Sequence, residues 1–124
     1  SKVVNYALQF VGGRYVWGGT NPNTGADCSG FVQYVLRNVA GVGLPRTSRE
    51  QAKTGKAIKS GEMRPGDLIF YTNSGGTVNH VAMYIGGGRI IHSSQLVRIN
   101  SIVPGTPDYY EKEVVGVRRM LGAR

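Results

Sequence analysis

The sequence predicts an α+β fold, with N-terminal helices packed on an antiparallel sheet of about five strands. Three observations predict it. Apolar residues recur at helical spacing in the first half, the period changes to two after Pro65-Gly66, and the connections are short. Helices first and strands later favour an antiparallel sheet over a parallel βαβ arrangement, in which the two would alternate.

Residues 1–11 read as a helix, because Val3, Val4, Ala7, Leu8 and Val11 share one face and Gly12-Gly13 stop it. Tyr15-Val16-Trp17 is a short extended piece, with Trp17 expected in the core. Residues 20–26 are turn material, supplied by Asn21, Pro22, Asn23 and Gly25. Asp27 caps a second helix whose buried stripe is Phe31, Val32, Val35, Leu36 and Val39, and Gly41 and Gly43 end it. Thr47-Ser48-Arg49-Glu50 is a capping box that starts a short third helix running to about Gly55. Beyond Pro65-Gly66, strands are expected at 68–72, 78–85, 89–93, 97–100 and 114–119. The chain has no internal repeat and no low-complexity segment.

The 124 residues fit one domain and suffice to bury a core without disulfides or metal. An apolar content of 40% with 19 glycines describes a turn-rich globular chain and not a disordered one. Lys and Arg total 15 against 7 acids, and the net charge of +8 favours polyanions without choosing among nucleic acid, anionic lipid and acidic wall polymers. No basic run is long enough for a nucleic-acid arm, and no basic–aromatic stripe exists, so nucleic acid is not an expected partner. No apolar run approaches the ~20 residues of a membrane span. Residues 1–11 show neither the charged n-region nor the cleavage site of a signal peptide. A single cysteine forbids an intramolecular disulfide and leaves a free thiol.

That thiol, Cys28, follows a Gly-rich loop and starts the second helix, in Ala26-Asp27-Cys28-Ser29-Gly30. Free cysteines are commonly buried and inert. Here the first-turn N–H groups and the helix dipole favour a thiolate, and a lowered thiol pKa is expected. Gly30 keeps the first turn open to a substrate backbone. His80 and His92 are the only histidines. If Gly86-Gly87-Gly88 is a three-residue hairpin loop, Ala82 faces His92, and His80, Ala82 and His92 point to one side of the sheet. The two rings are then diagonal neighbours, and His92 can hold His80 in one tautomer. A two-residue loop would put them on opposite faces. Tyr15 is a candidate for one half of an oxyanion hole, with the Cys28 N–H as the other. Two His, one Cys and scattered acids match no zinc spacing, so no metal is expected. The glycine-rich pieces lack GxxxxGK[ST] and are not phosphate loops.

Read together, Tyr15-Val16-Trp17-Gly18-Gly19, Asp27-Cys28-Ser29-Gly30-Phe31-Val32, Leu44-Pro45-Arg46-Thr47-Ser48 with Gln51, Pro65-Gly66-Asp67-Leu68-Ile69-Phe70, Asn79-His80-Val81-Ala82-Met83-Tyr84 and Ile91-His92-Ser93 occur in order. This resembles the NlpC family of papain-like bacterial cell-wall cysteine peptidases over nearly the whole chain. The resemblance implies a minimal papain-like fold and a single catalytic domain over residues 1–124, compatible with excision from a longer secreted protein. It implies Cys28 as nucleophile, His80 as base, His92 as third polar residue and Tyr15 as oxyanion partner. Asp27, Ser29 and Arg46 would line the pocket for the substrate's amine and carboxylate groups. The implied activity is cleavage of the D-γ-glutamyl–diamino acid bond (lysine or meso-diaminopimelate) in peptidoglycan stem peptides, with no cofactor. A papain-like amidase cutting the glycan–peptide or cross-bridge amide is the alternative. The expected setting is secreted or cell-wall associated, as a monomer, with anionic wall polymers as compatible further partners.

Overall fold

In the computed structural model, which describes residues 1–122, helices lie on one face of a six-stranded antiparallel sheet. The first helix, α1 (Lys2–Leu8), is capped by the Ser1 hydroxyl, which accepts from the Val4 N–H. It ends three residues before the apolar stripe does. The Gln9 and Phe10 amides bond back only three residues, to the Tyr6 and Ala7 carbonyls, which tightens the last turn. The stretch expected as turn holds a small hairpin, β1 (Thr20–Asn21) and β2 (Gly25–Ala26).

The second helix, α2 (Cys28–Ala40), lies where the stripe places it, and Gly41 closes it with a φ of 66°. Phe31, Val32, Val35 and Leu36 are fully buried against the sheet. Each such side chain contributes about 1.5–3 kcal/mol of burial free energy. The third helix, α3 (Ser48–Gln51), is a single turn and not the longer helix expected; its Thr47 cap accepts from the Glu50 N–H.

The strands are β3 (Lys56–Ile58), β4 (Leu68–Thr72), β5 (His80–Gly86), β6 (Arg89–Ser94), β7 (Leu96–Ser101) and β8 (Glu113–Arg119), in the order β3-β8-β4-β5-β6-β7. The sheet therefore has six strands and not five. The extra one, β3, has only three residues, none of them buried, so it carries no alternation to read. The C-terminal β8 is inserted between β3 and β4. Arg119 anchors it there by a bidentate pair with the buried Asp67 at the entry to β4, Nε to Oδ1 and Nη2 to Oδ2, both at 2.9 Å.

The sheet is apolar on both faces. Leu68, Phe70, Val81, Met83, Ile91 and Val97 pack under α2. Ile69, Tyr71, Ala82, Ile90 and Val117 face the other way, into a smaller core with Met63, Ile102 and Tyr110. Period-two alternation along the strands sorts the two sets.

The β5–β6 hairpin differs from expectation in its turn and agrees in its register. Gly86 pairs with Arg89, so the turn has two residues, Gly87 and Gly88, both at positive φ (62° and 73°). A bulge between Tyr84 and Gly86 supplies the odd residue. Beyond it Tyr84 faces Ile90 and Met83 faces Ile91. This is the offset that sets Ala82 across from His92.

One close approach fixes how α2 enters the molecule. A Cβ on Gly30 would collide with the Gly19 carbonyl and lie 3.0 Å from Asp27 Oδ1. Gly30 thus admits the chain's own backbone, not a substrate's as its sequence position suggests. Gly30→Ala is expected to destabilise the fold by about 1–3 kcal/mol. Gly43→Ala, where nothing lies within 4 Å of the added Cβ, should change stability by less than about 1 kcal/mol. Urea denaturation of both variants checks the contrast; equal midpoints would contradict it.

Candidate active site

The end of α2 that carries Cys28 is built around one carboxylate. Asp27 is extended (φ −84°, ψ −177°) and caps the helix, its Oδ1 accepting from the Gly30 N–H at 2.8 Å. The same oxygen accepts from the Ser29 hydroxyl at 3.3 Å, and Oδ2 accepts from the Gly18 N–H at 3.1 Å. Arg46 closes on the carboxylate as a fork, Nη1 to Oδ1 at 3.1 Å and Nη2 to Oδ2 at 2.9 Å. Arg46 also donates to the Ser29 hydroxyl at 2.8 Å and to the Gly19 carbonyl at 3.3 Å. Helix start, glycine loop and Arg46 loop are thereby joined. The buried Gln51 adds a further tie, its amide donating to the carbonyls of Pro45 and Ser29.

Cys28 is half-buried and opens into a groove of about 880 Å³ that Tyr15, Trp17, Ser29, Arg46 and His80 also line. His80 stands at the first position of β5 and so reaches the groove from the sheet. Behind it His92 is fully buried on β6. His80 Nε2 lies 2.7 Å from His92 Nδ1, and the rings meet edge to face at 73°. His92 Nε2 lies 2.8 Å from Asn100 Oδ1 on β7. Asn100 Nδ2 donates to the Asp108 carbonyl at 2.9 Å. The Tyr110 ring covers both imidazoles, with centroids 4.6 Å from His92 and 5.6 Å from His80.

The two rings share a face, as their parity predicts. By alternation with Ala82 and Ile90, it is the face turned away from α2. Thiol and imidazoles thus come from opposite sides of the sheet and converge at the head of β5.

Burial sets the charge state. It pushes the Cys28 thiol up, and the Asp27 charge adds to that; the N–H groups of Val81 and Ser29 pull it down. Burial first, then His92 and Lys112, hold His80 down at about 3. Burial lowers His92 to about 4, against the Asn100 bond, which raises it. The resting site is a neutral thiol beside two neutral imidazoles. The lowered thiol pKa expected from the helix start does not hold: desolvation, with the capping carboxylate behind it, outweighs the Val81 and Ser29 N–H groups.

Tyr15, Asp27, Cys28, Ser29, Arg46 and His80 all line the one groove, and His92 touches it only through His80. Trp17 is corrected: it is not in the core but 86% exposed at the groove. Its neighbour Gly18 turns with φ 77°, which carries the indole outward. Asn100, Tyr110 and Lys112 were not singled out in the sequence. For Asn100 a signal existed, since β6–β7 pairing sets it opposite Ile90, on the face of His92. Tyr110 and Lys112 arrive on an irregular connection whose path no periodicity shows. Among the described residues no three His, Cys, Asp or Glu side chains cluster as metal ligands.

A model of the NlpC/P60 family matches residues 12–119. Murein DD-endopeptidase MepH of Escherichia coli (strain K12) is 36% identical over 121 residues, which cover 95% of this chain and 45% of that protein. Gamma-D-glutamyl-L-lysine dipeptidyl-peptidase of Bacillus subtilis (strain 168) is 40% identical over 119 residues, 94% of this chain and 40% of that protein. The chain therefore spans less than half the length of these curated relatives. The crystal structure of an NlpC/P60 family protein from Bacillus cereus ATCC 10987 superposes with a TM-score of 0.85 at 39% identity, covering 97% of this chain and 39% of that one.

Two pH dependences follow from the neutral histidines and thiol. Between about 4 and 6.5 the unfolded chain binds protons that the buried imidazoles refuse, so stability rises with pH across that window and is lost on acidification. The melting temperature should fall from pH 6.5 to pH 4, and fall less steeply in a His80→Asn/His92→Asn variant. Iodoacetamide should alkylate Cys28 at a rate that is still climbing as the pH passes the ordinary 9.0, with no plateau below it. A rate plateau persisting below pH 6 would instead demand a thiolate–imidazolium pair.

Proposed function

The chain belongs to the NlpC/P60 family, and on that premise we propose that it is a cysteine endopeptidase of bacterial cell walls. It acts on the D-γ-glutamyl–diamino acid bond of peptidoglycan stem peptides, outside the cytoplasm. The observation that carries the reading is the single groove holding a helix-start thiol and His80, with His92 2.7 Å behind His80. The name of the Bacillus subtilis relative supports the bond.

The mechanism starts from the neutral pair. As Cys28 Sγ attacks the γ-glutamyl carbonyl, its proton passes to His80, and a C–S bond forms while the carbonyl π pair moves to oxygen. The Tyr15 hydroxyl and the Cys28 N–H receive that oxyanion. Collapse breaks the C–N bond, and the imidazolium gives its proton to the leaving amine. Water, deprotonated by His80, then attacks the thioester carbonyl; collapse breaks the C–S bond and frees the acid, and His80 returns its proton to the Cys28 sulfur. His92 keeps the His80 ring in place throughout. Asp27, Ser29 and Arg46 form the polar end of the groove and receive the charged terminus of the peptide. This route uses no metal or cofactor.

A second reading has a specific support. The Escherichia coli relative is named a DD-endopeptidase, and the same thiol chemistry on a cross-bridge amide would separate stems instead of cutting within one.

Cys28→Ala and Cys28→Ser should lower turnover by on the order of 10⁴–10⁶-fold and leave the melting transition in place. Near-native turnover in either would remove Cys28 as nucleophile. Mass spectrometry of digested muropeptides decides the bond. Fragments ending at D-glutamate are expected; stems released intact from their cross-links would establish the second reading.

A further inference from the structure

We infer that Asn100 is a positioning residue that fixes the direction of the hydrogen-bond relay from the thiol through His80 to His92. The inference rests on the Cys–His reading above and assigns a role to a residue behind it.

Asn100 is held at both ends of its amide. An amide NH₂ only donates and its oxygen only accepts. Nδ2 lies 2.9 Å from the Asp108 carbonyl, which can only accept, so the donor end must face Asp108. The same carbonyl takes the Ser101 N–H at 3.2 Å, and the Tyr110 N–H returns to the Ser101 carbonyl at 2.9 Å, so the main chain holds this acceptor in place. Turning the amide over would set Oδ1 against that carbonyl, two acceptors with no proton between them, in a buried position. Oδ1 is therefore the end that meets His92 Nε2 at 2.8 Å.

The rest follows group by group. An acceptor at that distance requires the proton on His92 Nε2. A neutral imidazole carries one proton, so His92 Nδ1 is a lone pair. His80 Nε2, 2.7 Å away, must then donate to it. His80 in turn is left with a lone pair on Nδ1, the one ring nitrogen free to take the thiol proton. When it does, the new imidazolium keeps its Nε2–H on His92, and no proton travels further. The groups facing the pair are Tyr71 from β4, Arg98 from β7, and Tyr110 and Lys112 from the 102–112 connection, and Cys28 from α2 shares the groove with His80. Among the described residues His92 Nε2 bonds to Asn100 alone.

The test has one arm that does not depend on turnover. Nitrogen-15 spectra of histidine-labelled protein at pH 7 should show both imidazoles as Nε2–H tautomers. In Asn100→Leu the His92 signal should shift toward a mixture of tautomers, and kcat should fall roughly 10–100-fold with KM unchanged. Asn100→Asp keeps an acceptor at His92 but sets its second oxygen against the Asp108 carbonyl; it should lower the melting temperature, keep His92 as the Nε2–H tautomer and move the acid limb of kcat/KM to higher pH, because a carboxylate raises the basicity of the pair. A His92 Nδ1–H tautomer in the unmutated protein overturns the proposal. So does wild-type kcat in Asn100→Leu, or a folded Asn100→Asp variant whose His92 loses the Nε2–H tautomer. Nε2–H tautomers in a protein that cuts no wall peptide would instead leave the relay standing and sink the peptidase reading.

Discussion

The Asp27 carboxylate is the interaction on which the rest of the site depends. It caps α2, receives Gly18 from the glycine loop and holds Arg46 in a two-pronged pair. An ion pair with one partner part-exposed returns little net stability, because solvent screens it and desolvation of the buried partner offsets the attraction. Its effect here is positional. Three segments distant in sequence are locked within one side chain's reach, and Cys28 is the next residue along. The same charge bears on the chemistry, since it opposes ionisation of the adjacent thiol. It adds to burial, the larger cause, in keeping that thiol neutral.

The second constraint is parity. His80 and His92 meet because both sit on one face of adjacent strands, and the bulge before Gly86 restores the offset that a bare two-residue turn would remove. That face is covered by Tyr71 and Tyr110, not by α2. The imidazoles therefore lie under an aromatic cover while the half-buried thiol stands at the start of α2. Only the head of β5 belongs to both.

Much of this was legible in the sequence, for identifiable reasons. The stripe from Phe31 to Leu36 and its Asp27 cap predicted α2 because a long periodic segment leaves few alternatives. The even spacing of 80 and 92 predicted a shared face although the turn was misjudged, because the count of residues between paired positions matters and not where the odd one is stored. What was not legible depended on tertiary environment. The thiol shift turned on burial, which local position does not reveal. Trp17 was expected inside because large aromatics usually are, yet the turn at Gly18 takes it out. The three-residue β3 and the path of 102–112 leave no periodic trace, so the cover on the histidines was invisible until the chain was folded.

Trp17 has a spectroscopic consequence. It is the only tryptophan in the chain, and it stands at the lip of the groove with 86% of its surface in solvent. Its indole is nearly as hydrated in the folded protein as in the unfolded chain. Emission excited at the red edge of the absorption band will change little on denaturation. It will respond when something occupies the groove and displaces that water. The protein thus carries a built-in fluorophore for ligand titration, and its folding is better followed by circular dichroism of α2 and the sheet.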